Sequence, residues 1–322
     1  MVATEPLPPH EPLAKRFWRY QAERFPIAGY VPLIAAFTFA SAAYSRLARR
    51  AAGMPGTEGF IPWPLYLVGT LTSLTFFFML RVLDEHKDAD TDARYRPELP
   101  VPRGLISLAE LRGIGGGTLA VVLALNAWLA PVLLIPCALT AAWAFLMTKE
   151  FFVRDWLRAH MLAYLVTHMM IMPMIDGYTT GLDWLVAGGE PPAGLPWFLA
   201  VTFANGALVE IGRKLRAPEK EREGVDTYTQ AWGLVRAPLA WLGLLVASAL
   251  LAWQAAHFTG LAHTTAWVLA PAALLFAVPG LAFLATHRAR WGKVCETASG
   301  LWAIVTYLTL GAGPFLARAL GH

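Results

Sequence analysis

Three regularly spaced aspartates are the residues of this 322-residue chain best suited to chemistry. Asp84, Asp88 and Asp92 stand at i, i+4 and i+8, so a helix that continues past Arg81 places their carboxylates along one face. Carboxylates held so close repel one another unless a cation lies among them. Mg²⁺ is commonly bound by one or two carboxylates, water and phosphate oxygens. The spacing predicts a catalytic Mg²⁺ site with Asp84, Asp88 and Asp92 as its ligands.

A stiff, basic segment follows these aspartates. Prolines recur between Arg96 and Arg103, and Ser107 and Glu110 then have the spacing of a capping box. The N-terminus of a helix attracts anions through its free N–H groups and its dipole. Arg96 and Arg103 beside such a helix start are therefore predicted to bind an anionic substrate.

The elements that must position these residues are membrane helices. The chain is 57% hydrophobic and only 15% charged, which is too apolar for a water-soluble domain of this length. Its net charge of +4 falls in short loops between apolar runs, so composition gives no case for a nucleic-acid partner. Runs of about 20 apolar residues predict nine spans, near 27–45, 61–82, 115–130, 131–147, 157–179, 193–212, 237–258, 264–286 and 297–317.

The basic residues set the orientation of this all-α polytopic bundle. Lys and Arg concentrate in cytoplasmic loops, and nine spans with a cytoplasmic N-terminus place 22 of the 26 basic residues on that side. We expect one transmembrane helical domain over 1–322, with 1–24 a flexible or interfacial cytoplasmic tail. The charged connections 83–114 and 213–236 then share the cytoplasmic face, and a central cavity opens to that face or to the membrane. Eight spans remain an alternative, because only Leu129-Ala130-Pro131 separates the third span from the fourth.

The fifth predicted span carries polar groups at membrane depth. His160, Tyr164 and His168 recur every four residues, and Asp176 follows near the other end. Such groups usually face the interior of a bundle and indicate a pathway or a site. We expect His160, nearest the cytoplasm, to approach the bound substrate.

The chain resembles the UbiA superfamily of intramembrane prenyltransferases, which share nine helices and an Asn-x-x-x-Asp-x-x-x-Asp motif. Asp84 stands at the position of the Asn, and Asp88 and Asp92 stand at those of the two Asp residues. The stretch Leu99-Pro-Val-Pro-Arg-Gly104 resembles the proline segment that follows, with Leu99 in place of an Arg. The resemblance also implies a substrate contact for Arg24, within Ala22-Glu-Arg-Phe-Pro26.

The second motif of that family is degenerate in this chain. The turn Gly224-Val-Asp-Thr227 is present, but Lys220 and Arg216 occupy the positions four and eight residues before it, where the family carries Asp. Either a shifted register supplies carboxylates or fixed cations replace a second metal ion. The candidates for substrate binding in this part of the chain are Asn205, Glu210, Arg213, Lys214 and Arg216, with Glu219, Glu221 and Glu223 as alternative carboxylates.

The resemblance implies an enzyme of a bacterial cytoplasmic membrane that uses Mg²⁺ to transfer an isoprenoid from a prenyl diphosphate to a lipophilic acceptor. Two functions of the same fold stay open. One is a divergent protein that binds or transports an isoprenoid lipid, which the missing second motif favours, and the other is an intramembrane terpene cyclase. An unrelated transporter is a third class, which the intramembrane His and Asp residues favour.

Overall fold

The computed structural model describes residues 11–320. All regular secondary structure in this part of the chain is helical. The expectation for residues 1–10 of the tail lies outside the described residues. The helices, in chain order, are α1 Leu13–Arg24, α2 Ile27–Ala51, α3 Trp63–Lys87, α4 Ala89–Tyr95, α5 Leu108–Leu129, α6 Leu134–Thr148, α7 Arg154–Ala159, α8 Met161–Met169, α9 Ile171–Gly181, α10 Leu195–Arg213, α11 Tyr228–His257, α12 Ala262–Thr286, α13 Ala289–Tyr307 and α14 Gly313–Ala319.

Within residues 11–320, eight helices are long and apolar enough to cross a bilayer. The third and fourth predicted spans are separate helices, α5 and α6, divided at Ala130. The remaining predicted span, 157–179, is divided among α7, α8 and α9, each too short to cross alone. Since α8 and α9 follow one another from Met161 to Gly181 with a break only at Met170, a ninth crossing made of these two helices stays a prediction.

The break before α8 corrects one detail of the predicted fifth span. His160 has a non-helical backbone and only precedes α8, so it does not continue the helical face of Tyr164 and His168. Its side chain is exposed and stacks on Trp156 with ring centroids 4.5 Å apart. The sequence spacing alone did not reveal this interruption, because Leu157 to Met161 contains neither Pro nor Gly.

The N-terminal segment is more ordered than a flexible tail. Residues 13–24 form α1, whose Tyr20 is fully buried against α3. The ring of Phe17 meets that of Phe78 edge to face at 5.9 Å. Arg16 donates two hydrogen bonds, of 2.9 and 2.5 Å, to the carboxylate of Glu110. The predicted capping box of Ser107 and Glu110 is confirmed at the start of α5, so Arg16 binds a residue that also caps a helix.

The bundle has two ends with different charge patterns. We call the end at which α3 and α10 finish, at Lys87 and Arg213, the loop end, and the opposite end the far end. At the far end Arg46 and Arg49 of α2 are buried and lie 2.8 and 3.0 Å from the carboxylate of Asp183. Ser45 donates a further hydrogen bond to it. Each arginine donates one further hydrogen bond to a backbone carbonyl of the 52–62 loop, so this ion-paired cluster fastens α2 and its loop to the end of α9.

We expect Asp183→Asn to destabilise the protein strongly, because it leaves two buried guanidinium groups without a counter-charge. Breaking a buried ion pair by removing one partner costs about 3–5 kcal/mol. The measurement is thermal unfolding of the purified protein in detergent. Glu296→Gln is the matched control, since Glu296 pairs with Lys293 on the surface and exposed pairs contribute about 0–1 kcal/mol. Equal unfolding midpoints for the two variants would contradict the structural role of Asp183.

Candidate functional site

Three segments that are distant in sequence meet at the loop end through two lysines and two tyrosines. Lys87, the last residue of α3, donates a 3.0 Å hydrogen bond to the hydroxyl of Tyr164 in α8. Lys214, which follows α10, lies over the rings of Tyr164 and Tyr228 at 5.8 Å from each centroid. We call Lys87, Tyr164, Lys214 and Tyr228 the lysine–tyrosine cluster.

Local sequence explains how these side chains are held. Thr227 caps the N-terminus of α11 by accepting a hydrogen bond from the backbone of Gln230, which fixes Tyr228 as the first helical residue. Tyr164 stacks on His168, one turn later, with centroids 3.8 Å apart and planes 13° from parallel. The hydroxyl of Tyr228 and Nε2 of His168 are both buried without a hydrogen-bond partner in the described chain.

Glu210 gives the cluster its electrostatic character. It is buried in the last turn of α10, and its carboxylate lies 2.5 Å from Arg213 and 2.9 Å from Lys214. One carboxylate is therefore shared by two cations. Lys87 adds a third cation, and its closest acidic group, Asp84, lies at 4.0 Å. Three cations thus lie beside hydroxyl donors at the loop end, and such a grouping suits a phosphate-bearing anion.

The predicted aspartate stripe is only partly formed. α3 ends at Lys87 and α4 begins at Ala89, although backbone hydrogen bonds still join Asp88 to Asp84 and Asp92 to Asp88, at 2.9 and 2.8 Å. The three carboxylates then differ in their surroundings. Asp84 is 47% exposed, whereas Asp88 is partly buried and forms no ion pair with residues 11–320. Asp92 is buried 2.6 Å from Arg96; burial raises its pKa, and Arg96 opposes that rise.

This arrangement suits a Mg²⁺ site with two carboxylate ligands but not one with three. No group of three or more His, Cys, Asp or Glu side chains in the described part of the chain is placed to hold a metal ion. Asp92 is already engaged by Arg96. Asp84 and Asp88 keep accessible carboxylate oxygens, and two carboxylates with phosphate oxygens and water are a usual Mg²⁺ environment. The residues thus fit a two-carboxylate site, and magnesium itself stays a prediction.

The arginines predicted to bind substrate are used in ion pairs that fasten α1 and the 88–107 loop. Arg24 lies 2.7 Å from Glu85, and Arg96 pairs with Asp92. Arg103 makes two hydrogen bonds with Glu23 of α1, at 2.6 and 3.0 Å. Each of the three guanidinium groups is paired with a carboxylate, and Glu85 also pairs with Arg81. Their substrate contacts stay predictions.

Some of the remaining predicted residues lie at the lysine–tyrosine cluster, and the others lie away from it. Lys214, Arg213 and Glu210 belong to the loop end, as described. Arg216 is exposed, and its backbone N–H donates to Thr229. Asn205 is buried between helices and accepts a 2.7 Å hydrogen bond from Ser248 of α11. His160 stays exposed beside Trp156, so the structure does not bring it into the cluster.

The two charged loops touch each other. Gly224 has a positive φ of 72°, and a Cβ added there would lie 2.5 Å from the ring of Tyr95 at the end of α4. Glu221 accepts hydrogen bonds from Thr227 and Thr229, so it closes its own loop. The alternative carboxylate Glu221 is therefore occupied, whereas the turn at Gly224 brings the second loop against the first.

Sequence reasoning missed Lys87 and Tyr228 as members of the site. Lys87 lies within the acidic run and carries no pattern of its own, and Tyr228 has no signal except that it follows the Gly224–Thr227 turn. Tyr164 has a predicted polar face but no predicted partner.

Comparisons with known proteins support the fold alone. No family model matches the chain, and no curated protein matches it. A solved structure of a digeranylgeranylglyceryl phosphate synthase in membranes is similar, with a TM-score of 0.62 and 13% sequence identity. The match covers 92% of this chain and 97% of that one, so the likeness extends over nearly the whole helical bundle. The chain shares the fold of a membrane synthase of this kind.

Proposed function

We propose that the chain is an intramembrane prenyltransferase that binds a prenyl diphosphate at the lysine–tyrosine cluster and transfers its isoprenoid to a lipophilic acceptor. The observation that carries the proposal is the convergence of Lys87 and Lys214 on Tyr164 and Tyr228, beside Asp84. The fold shared with a membrane synthase supports it. The acceptor is a lipid-soluble molecule that reaches the site from the bilayer.

The cluster can stabilise the charge that develops in this reaction. When the bond between the allylic carbon and the diphosphate oxygen breaks, its electron pair leaves with the diphosphate. Lys87, Lys214 and Arg213 are fixed cations at the place where that charge accumulates, and such preorganised charges act strongly where water is excluded. The hydroxyls of Tyr164 and Tyr228 are further donors. Mg²⁺ held by Asp84 and Asp88 would neutralise phosphate oxygens as a Lewis acid.

The core behind the cluster is apolar, as an isoprenoid chain requires. Phe77 of α3 and Met172 and Ile175 of α9 pack together in it, further from the loop end. Met172 follows His168 by four residues, so the face that carries the cluster continues as an apolar face. An apolar lining keeps water from the allylic cation until the acceptor attacks it and loses a proton. We further propose that the loop end faces the cytoplasm, because most Lys and Arg lie there.

We expect Lys87→Met and Lys214→Met each to lower diphosphate release from prenyl diphosphates by about 100-fold, since losing one preorganised donor costs about 10²–10³ in rate. The purified chain is supplied with Mg²⁺, prenyl diphosphates of several lengths and a membrane-lipid extract as the source of acceptor. Lys293→Met is the matched control, because Lys293 is exposed on α13 and pairs only with Glu296.

The same assay separates the proposal from its alternatives. Absence of diphosphate release at every chain length, with binding unaffected by either substitution in the cluster, would refute the transferase. Flux of an isoprenoid lipid across proteoliposomes would then indicate a binding or transport protein. Release of diphosphate that needs no acceptor and yields a cyclic hydrocarbon would indicate a cyclase.

We expect Asp88→Asn to raise the Mg²⁺ concentration for half-maximal activity by about 10-fold. The substitution removes one of the two carboxylates that bind the ion, which weakens the site. Asp92→Asn should leave that concentration nearly unchanged. It should lower the unfolding temperature instead, since Arg96 loses its ion-pair partner. The exposed Asp90 provides the control variant Asp90→Asn. Mn²⁺ titration followed by electron paramagnetic resonance measures binding apart from activity. A larger loss of Mn²⁺ affinity in Asp92→Asn than in Asp88→Asn would contradict the two-carboxylate site.

A further inference from the structure

A second polar site lies deep in the bundle, toward the far end, and is centred on Asp176 of α9. Its carboxylate accepts hydrogen bonds from Ser41, at 2.7 Å, and from Thr179, at 3.2 Å, on one oxygen. The other oxygen accepts from the hydroxyl of Tyr307. Asp176 is 12 residues along the chain from Tyr164, or about 18 Å at the helical rise. It is therefore separate from the lysine–tyrosine cluster.

Asp176 differs from the other buried carboxylates in its lack of a cation. Within residues 11–320, six carboxylate side chains are buried. Five of them have a Lys or Arg within ion-pair distance, namely Glu85, Asp92, Glu150, Asp183 and Glu210. Asp176 has hydroxyl donors alone, and the three hydroxyls that point at it suit an anionic carboxylate. A charge so buried calls for a counter-charge.

A small cavity adjoins this carboxylate. It has a volume of about 10 Å³ for the centre of a water-sized sphere, which is room for one water molecule or ion. Oxygen-bearing side chains contribute to its wall, together with apolar groups such as Phe37. The oxygen-bearing residues are Thr38, Ser73, Asp176, Thr179 and Tyr307.

One residue in the wall has a hydroxyl without a hydrogen-bond partner in the described chain. Thr38 is 1% exposed, and its Oγ1 has no partner in the described chain although it faces this cavity. A buried hydroxyl without a partner costs free energy unless a ligand or water satisfies it. The backbone nearby is irregular as well, because a π-helical turn, Leu308–Ala312, follows Tyr307 directly. Such turns occur frequently at functional sites.

We propose that the cavity at Asp176 binds one small monovalent cation, for which Na⁺ is the probe. The single carboxylate balances one positive charge, whereas a divalent ion would remain half uncompensated. Hydroxyl and carboxylate oxygens are the ligands that hard cations take. Ionisable groups inside a membrane bundle indicate functional sites by default. This inference goes beyond the proposed prenyl transfer and does not depend on it.

The groups that face Asp176 come from five helices, and none of them is cationic. They are Thr38 and Ser41 of α2, Ser73 of α3, Thr179 of α9, Thr202 of α10 and Tyr307 of α13. A bound cation would therefore link α2, α9 and α13 through the same carboxylate. Its binding should stabilise the folded protein, because a ligand that binds only the folded state shifts the unfolding equilibrium.

The test is thermal unfolding of the full-length protein in detergent, in NaCl, KCl or N-methylglucamine chloride at one ionic strength and pH 8. We expect Na⁺ to raise the unfolding temperature by about 3 °C or more over N-methylglucamine, with saturation. Asp176→Asn should abolish the difference. Thr38→Val, which removes one oxygen at nearly constant volume, should raise the half-saturating Na⁺ concentration by about 10-fold. Binding of ²²Na⁺ should approach one ion per chain.

Thr140→Val is the matched control, because the Thr140 hydroxyl is buried but bonds to the Pro136 carbonyl, outside the cavity. It should keep the full Na⁺ response. If Asp176→Asn does not fold, Thr38→Val and the ²²Na⁺ stoichiometry still decide the matter. Equal unfolding temperatures of the unmutated protein in Na⁺ and N-methylglucamine would overturn the proposal. So would a response to pH that is the same in all three salts, since a proton alone would then neutralise Asp176.

Discussion

A charge removed from water into an apolar helical bundle needs an opposite charge close to it, and this constraint organises the protein. The free energy of leaving a buried carboxylate unpaired is several kcal/mol. Each pairing therefore determines which helices must approach. Glu85 lies near Arg24 and Arg81, at 2.7 and 3.4 Å, so it ties α1 to α3. Asp183 fastens the ends of α2 and α9 in the same way.

Some of these charges have no matching counter-charge, and the places where they lie are the ones suited to binding a ligand. Balanced pairs such as Arg103 with Glu23 hold the loops in position. At the loop end Glu210 serves both Arg213 and Lys214, so one positive charge is left over beside Lys87. Arg46 and Arg49 also outnumber their carboxylate, but each donates a hydrogen bond to a carbonyl of the adjoining loop. Within residues 11–320 the two lysines of the lysine–tyrosine cluster have no carbonyl partner, so they are available to an anion.

The sequence predicted the helical membrane fold and the end that carries the site, because apolar runs and loop charges depend on composition over about 20 residues. It named Lys214 and Glu210 as candidates for substrate binding, and the structure places them 2.9 Å apart at the end of α10; their binding role stays a prediction. It did not predict that Arg24, Arg96 and Arg103 would each pair with a carboxylate, since those pairs depend on how α1 and the 88–107 loop pack. Tyr228 was missed for the same reason: its partner Lys214 is 14 residues away across a folded loop.

The spacing of the aspartates shows how far a periodic pattern can be trusted. The i, i+4, i+8 positions are preserved in the backbone hydrogen bonds, yet the helix break at Asp88 and the burial of Asp92 give the three carboxylates different partners. Spacing specifies the direction of a side chain, whereas ligand capacity depends on what already occupies its oxygens. Asp92 is engaged by Arg96, and Asp176, which belongs to no motif, is the buried carboxylate of residues 11–320 that has no Lys or Arg partner. In this protein, whether an acidic residue lacks a basic partner indicates a ligand site better than the sequence motif to which the residue belongs.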